Sequence, residues 1–164
     1  MSNVLDFTPV AIKNASIQFL NEDQQQEGKK FGCMGTLSAE TEVREIVKRC
    51  EGDEQVITIP RYMTVTVGAH IKRDVIRDVF GITTQGLKQG VYSYGLKSRG
   101  KRFVFTADVI DEFEDIIQLI AFSRCSNMSG LSISIDNDAD EVAYVELEFR
   151  ANADSLGNFY YEAF

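Results

Sequence analysis

Tryptophan is absent from this 164-residue chain, proline occurs twice, and His70 is the only histidine. Each shortage removes a class of answer. A site that needs two imidazoles is excluded outright. The three cysteines, Cys33, Cys50 and Cys125, are odd in number and form no C-x-x-C, the pattern of reduced thiols in a cytosolic setting rather than of a disulfide framework. None of them lies within the short ligand spacing of a structural zinc site. No apolar run approaches the roughly 20 residues that cross a bilayer as a helix. The opening, Met1 to Asp6, lacks the basic and apolar regions of a secretory signal. Membrane and secreted readings are therefore not expected.

Catalytic signatures are missing as well. There is no G-x-S-x-G elbow, no Walker glycine loop and no G-x-G-x-x-G. Asp136, Asp138 and Asp140 imitate the start of a calcium loop, but Glu141 stands where Gly is required and Leu147 where the final Glu belongs. The adjacent carboxylates Asp111, Glu112, Glu114 and Asp115 read as a hydrated turn, since a general acid or base needs desolvation in a cleft. No cofactor and no metal are expected.

What is present is charge, unevenly placed. The chain carries 17 Lys+Arg against 25 Asp+Glu, a net of −8. Residues 105–164 hold 13 of the acids and only two bases, Arg124 and Arg150 (net −11), which leaves 12 acids and 15 bases (net +3) for the first 104. Tight generic binding to nucleic acid is disfavoured, because it needs uncompensated Lys and Arg. Lys97, Arg99, Lys101 and Arg102 form the one basic knot, at a predicted hairpin link from Ser98 to Lys101.

Period-two alternation dominates the rest. It predicts strands at Ala11–Phe19, Phe31–Leu37, Tyr62–Ile71, Val91–Leu96, Arg102–Val109, Leu131–Ile135 and Val145–Arg150. One helix is predicted, led by Asp74, with Val75, Ile76, Val79 and Phe80 on one face and a close at Gly81. Two stretches are open between helix and strand, 41–51 and 112–122, where Val43, Ile46, Val47 and Cys50, and Phe113, Ile116, Ile117 and Ile120, follow helical spacing.

The ends are apolar. The chain begins with Val4, Leu5, Phe7, Val10 and Ile12 and finishes Phe159-Tyr160-Tyr161-Glu162-Ala163-Phe164. Exposed aromatic tails promote aggregation, so these ends are expected to dock on their own domain or on a neighbouring copy.

The run Arg61–Ile82, ending Val79-Phe80-Gly81-Ile82, resembles the major tail tube protein of bacteriophages with long, non-contractile tails. So do the stretch Gly90–Asp111, with Gly100-Lys101-Arg102-Phe103-Val104-Phe105-Thr106-Ala107-Asp108, and the end Val142–Phe164. The similarity extends over most of the chain from about Phe31, carried by the order and spacing of these stretches.

The resemblance implies a mainly β fold, an antiparallel β-sandwich or curled sheet with one short flanking helix. It implies a single tail-tube domain over 1–164, with N-terminal (1–12) and C-terminal (156–164) arms. The implied function is structural and not enzymatic: hexameric rings stack into the tail tube through which DNA passes into the host. Assembly in the host cytoplasm and residence in the virion tail follow. So do tape measure, distal tail and tail terminator proteins as partners, with no membrane. About four strands per subunit would line a barrel of 24 strands. With about 4.8 Å spacing and roughly 40° tilt, its backbone diameter is near 48 Å and its lumen roughly 35–40 Å.

Double-stranded DNA would pass without specific binding, repelled by lumen-facing carboxylates, for which Glu146 and Glu148 are the candidates. Self-association is expected through Val4, Leu5, Phe7, Phe159, Tyr160, Tyr161 and Phe164. Lys101 and Arg102 are expected to meet an acidic loop of the next ring. The alternative from another class is a monomeric β-barrel that binds a small apolar molecule, with His70 or tyrosines in its pocket. A ring-forming secretion tube shares the tube physics, and a hydrolase lacks any supporting motif.

Overall fold

The computed structural model describes residues 11–21, 24–25, 28–84, 86–111, 113, 115–133, 135, 137–138 and 145–164. Val4, Leu5 and Phe7, and with them most of the expected N-terminal arm, lie outside the described residues, as does much of 136–144. The elements run β1 (Ala11–Asn21), β2 (Gln24–Gln25), β3 (Lys29–Lys30), β4 (Gly32–Cys50), β5 (Asp53–Ile71), α1 (Arg73–Phe80), β6 (Phe103–Ile110), β7 (Ile116–Asn127), β8 (Val145–Ala151) and β9 (Tyr160–Ala163).

All pairings are antiparallel, in the order β2-β1-β6-β7-β8-β5-β4, with β3 on β1 and β9 on β7. The sheet curls on itself. β3 pairs with β1 and leads through Phe31 into β4, and the Phe31 N–H donates to the Ala15 carbonyl at 2.9 Å. The expected curled antiparallel sheet with one short helix is therefore the observed fold.

Alternation decides which face is filled. Phe103, Phe105 and Ala107 of β6, Leu147 and Phe149 of β8 and Val65 and Val67 of β5 are buried. Phe149 is the hub: its ring lies 5.2 Å from Phe103, 5.5 Å from Phe105 and 6.4 Å from Phe122. Phe31 meets Phe105 edge-on at 5.1 Å. Helix α1 lays Val75, Val79 and Phe80 on this core and closes at Gly81 in the left-handed region. It begins one residue before Asp74. Lys72 occupies the N-cap position without a side-chain bond, and Asp74 sits in the first turn, where its charge favours the helix dipole.

Both open stretches contain strand rather than helix among the described residues. Residues 41–50 belong to β4, where nearly every side chain is exposed on either face, and 116–122 to β7, so the helical spacing in both is a coincidence. In β7 the alternation is broken by a bulge near Arg124, which has φ 44°. There β7 changes partner, from β9 along Leu119–Phe122 to β8 along Cys125–Asn127.

Three sequence expectations are corrected. Leu131–Ile135 is not a strand where described. The side chain of Asn127 accepts the Ser129 N–H at 3.0 Å and donates to the Ser129 carbonyl at 2.8 Å, which turns the chain off the sheet and leaves Ile133 and Ile135 exposed. Val91–Leu96 shrinks to one bridge, Ser93 with Thr83, because Gly90 and Gly95 flank it with turns. Ser98–Lys101 is therefore not a hairpin link. It runs along the end of α1, and the Lys101 N–H donates to the Asp78 carbonyl at 3.0 Å.

Candidate assembly and lumen surfaces

The sheet face opposite the phenylalanines is the first candidate surface. On β8, Glu146, Glu148 and Arg150 alternate with the buried Leu147, Phe149 and Ala151. Register carries that face across the sheet: Glu146 pairs with Gly68, Glu148 with Thr66 and Arg150 with Thr64 of β5. These pair in turn with Thr36, Ser38 and Glu40 of β4, and Tyr62 pairs with Glu42. The result is a wall of small hydroxyl-bearing and acidic side chains on three strands. It holds four carboxylates (Glu40, Glu42, Glu146 and Glu148) against one cation. That cation is engaged, since the Arg150 guanidinium lies 3.6 Å from the centre of the Tyr62 ring.

Glu146 and Glu148, the candidates named under the resemblance from the wet face of this strand, share an exposed face, and register adds Glu40 and Glu42. Sequence reading missed the latter pair because only the β4–β5 register brings them onto this face.

The second surface is a ribbon. β4 and β5 pair along their whole lengths, but β8 accompanies β5 only from Met63 to Ala69. Beyond Glu42 and Tyr62 the hairpin continues as two strands. Its tip is a two-residue turn, with Cys50 opposite Asp53 and both Glu51 (φ 50°) and Gly52 (φ 87°) in the left-handed region, as a type I′ turn requires. Cross-strand pairs share a face, so Val43/Pro60 and Val47/Val56 lie on one side, and Arg44/Ile59 and Ile46/Ile57 on the other. Val43, Val47, Val56, Ile57 and Ile59 are all exposed. A two-stranded ribbon is marginal by itself, and this one exposes apolar pairs on both sides, interleaved with the polar pairs Glu45/Thr58, Lys48/Gln55 and Arg49/Glu54.

The C-terminal aromatics are partly used within the chain. Phe159 packs against the core, and Tyr160–Ala163 form β9 on the edge of β7. Tyr160 stacks 5.3 Å from Phe122, and burial, reinforced by the neighbouring Glu162 carboxylate, pushes its hydroxyl up to about 12. The Tyr161 hydroxyl donates to the Asp154 carboxylate, and Glu162 accepts from Gln118 and from the Tyr160 hydroxyl. Phe164 stays exposed. Lys101 and Arg102 are exposed at the far end of the sheet, with Lys101 3.4 Å from Asp78. Cys125 is buried in the core, and burial raises its thiol far above the usual range, so it is unreactive packing. Among the described residues no group of His, Cys, Asp and Glu could hold a metal.

A curled antiparallel sheet with one filled face, one polar face and a protruding hairpin is a phage-tail-tube-like fold, and solved structures share it. The chain is similar to a component of the anti-feeding prophage tube-terminating cap (11% identity, TM-score 0.54, covering 95% of this chain and 91% of that one). It is also similar to a chain of the extended sheath–tube complex of the extracellular contractile injection system PVC (10% identity, TM-score 0.55, 98% and 94% covered). A third likeness is to a chain of that system's sheath/tube terminator (10% identity, TM-score 0.52, 96% and 98% covered). Two of these neighbours belong to a contractile injection system, so the likeness carries the fold and not the non-contractile type of tail. No protein-family model and no curated protein matches the sequence.

Proposed function

We propose that this chain is the building block of a tail tube, a structural protein whose copies join into hexameric rings and stack around a lumen that passes double-stranded DNA. One observation carries the reading: the wall of Glu146, Glu148, Glu40 and Glu42 among Ser38, Thr64 and Thr66, backed by a filled core and adjoined by a ribbon with exposed apolar pairs on both sides. Such a wall faces water and sets four carboxylates against a single cation, Arg150, whose guanidinium lies over the Tyr62 ring. At physiological salt the screening length of about 8–10 Å is comparable with the clearance around a duplex in a lumen of this size. DNA would slide without being gripped.

The ribbon supplies what a ring needs, apolar surface left exposed among the described residues. Tape measure, distal tail and terminator proteins are then the partners at the ends of the tube, and the virion tail is its place. The competing reading, a monomeric barrel with an apolar ligand, wants an open interior. Here that space is occupied by Phe19, Phe31, Phe103, Phe105, Phe122 and Phe149, all fully buried.

Electron microscopy of the purified protein at rising concentration tests the proposal. Six-fold rings or hollow tubes with a lumen of roughly 35–40 Å are expected. Small uniform particles at every concentration would overturn it.

A further inference from the structure

Several cations of the first 104 residues gather beside the end of α1. Lys29 and Lys101 both reach the Asp78 carboxylate, at 3.3 and 3.4 Å. Arg77, Lys97, Arg99 and Lys101 line an open depression of about 780 Å³ beside the end of α1, together with Ile82 and Leu96. Asp78 is the one carboxylate in that lining, and two ammonium groups already share it. Leu96 is 98% exposed, an apolar side chain held in water at the edge of a cationic hollow. The hollow therefore fits an anionic knob with an apolar tip.

The same chain carries such a knob at the other end of β6. Arg102 precedes Phe103, the first residue of β6, and Ile110 is its last. The turn that follows is closed by the Asp111 N–H donating to the Asp115 carbonyl at 3.1 Å. Asp111 Oδ1 accepts the N–H groups of Phe113 (2.9 Å) and Asp115 (3.0 Å). This holds Phe113 out at the turn with 76% of its surface exposed. The sequence of the turn adds Glu112 and Glu114 to Asp111 and Asp115.

From Lys101 to Asp111 the chain is extended over ten residues, about 33 Å at 3.3 Å per residue. Hollow and knob are thus opposite ends of one strand and cannot meet within a molecule. A contact between them joins two copies by different surfaces, a head-to-tail arrangement that grows as a filament unless its rotation closes a ring.

We infer that the acidic β6–β7 turn of one copy, tipped by Phe113, seats in the basic depression beside α1 of the next copy and forms the longitudinal contact. The inference rests on the tube reading for its biological setting and deepens the expectation for Lys101 and Arg102 by naming the opposing loop. A free phosphate-bearing ligand would use the cations alone and would leave Phe113 and the turn irrelevant.

Charge exchange tests it. Lys97→Glu with Arg99→Glu reverses the hollow and leaves Lys101 on Asp78. Glu112→Lys, Glu114→Lys and Asp115→Lys reverse the turn and keep Asp111, which closes it. Each set alone is expected to raise the concentration needed for sedimentable polymer by at least about tenfold, with the monomer's melting curve unchanged; the five substitutions together restore assembly, because the poles are complementary again. Phe113→Ser, a change at an exposed site, is expected to weaken assembly independently.

Polymer formation by both one-sided variants at the wild-type concentration would overturn the contact. So would failure of the combined variant to recover while its monomer melts normally, or, where that variant does not fold, an unchanged Phe113→Ser. Absence of polymer from the wild type would instead overturn the tube reading itself.

Discussion

Gly100 lies flat against the carbonyl of Val79, and a methyl group built on its Cα would overlap that oxygen. The residue is not a hairpin turn but a point of contact between the strand that becomes β6 and the last turn of α1. Gly100→Ala must push the two apart or distort the helix, and overpacking of this kind costs about 1–3 kcal/mol. Denaturant unfolding of the disassembled protein measures it. A loss below about 0.5 kcal/mol would show that the segment relaxes freely. Because Arg99 and Lys101 flank this glycine, the same substitution is expected to disturb the basic depression beside α1.

Strand β8 offers a comparison of its two faces. Phe149 is fully buried among Phe103, Phe105 and Phe122, so Phe149→Ala is expected to cost about 3–5 kcal/mol, a large part of an ordinary domain's stability. One residue away, Glu148→Lys changes an exposed side chain and is expected to stay within about 0.5 kcal/mol. On the proposed tube reading its effect is expected in the assembly. Tubes carrying Glu146→Lys and Glu148→Lys are expected to retain duplex DNA at low salt and release it at high salt, while wild-type tubes retain none. Equal retention by both in a filter-binding assay would show that these residues do not face the lumen.

The β8 alternation was legible because one face is wet and the other filled, and the same holds for β6 and the end of β5. The polar wall was half legible, since Glu146 and Glu148 lie on such a strand. Glu40 and Glu42 needed the β4–β5 register, which no local pattern contains. The distal ribbon misled for a physical reason: with apolar pairs on both faces it has no period of two to detect, and Val43, Ile46, Val47 and Cys50 then matched a helix by chance. The signal that could have found it is Glu51-Gly52 between two β-prone runs, a two-residue hairpin turn. Leu131–Ile135 shows the converse. It alternates well, yet the Asn127 turn takes it away from any strand edge.

Acid should loosen the C-terminal strand. The bond from the Tyr161 hydroxyl, then the Asn158 and Leu156 N–H groups, hold the Asp154 carboxyl below its ordinary range. A depressed folded-state value means that the contribution is fully present above the unfolded value of about 3.9 and is lost as pH falls through the lower folded value. Hydrogen-exchange protection at residues 160–163, corrected for intrinsic rates, is therefore expected to fall below about pH 4 in the wild type. Asp154→Asn should begin lower and show little of this step. Parallel loss in both proteins would assign the transition to other carboxylates.

The ribbon separates folding from assembly most cleanly. Ile46, Val47, Val56 and Ile57 form two cross-strand pairs on opposite faces, outside the reach of β8 and away from the phenylalanine core. Replacing all four by Thr keeps β-branched side chains and hence strand propensity. It also removes apolar surface that, in the lone subunit, water already touches. Monomer stability is then expected to change by less than about 1 kcal/mol, in line with other surface substitutions. Ring formation should fail, because burial of that surface is what would offset the entropy of association. Analytical ultracentrifugation distinguishes the outcomes. Rings that form at the wild-type concentration would mean that the ribbon is not a subunit contact, whereas a folded, strictly monomeric variant would assign lateral assembly to it.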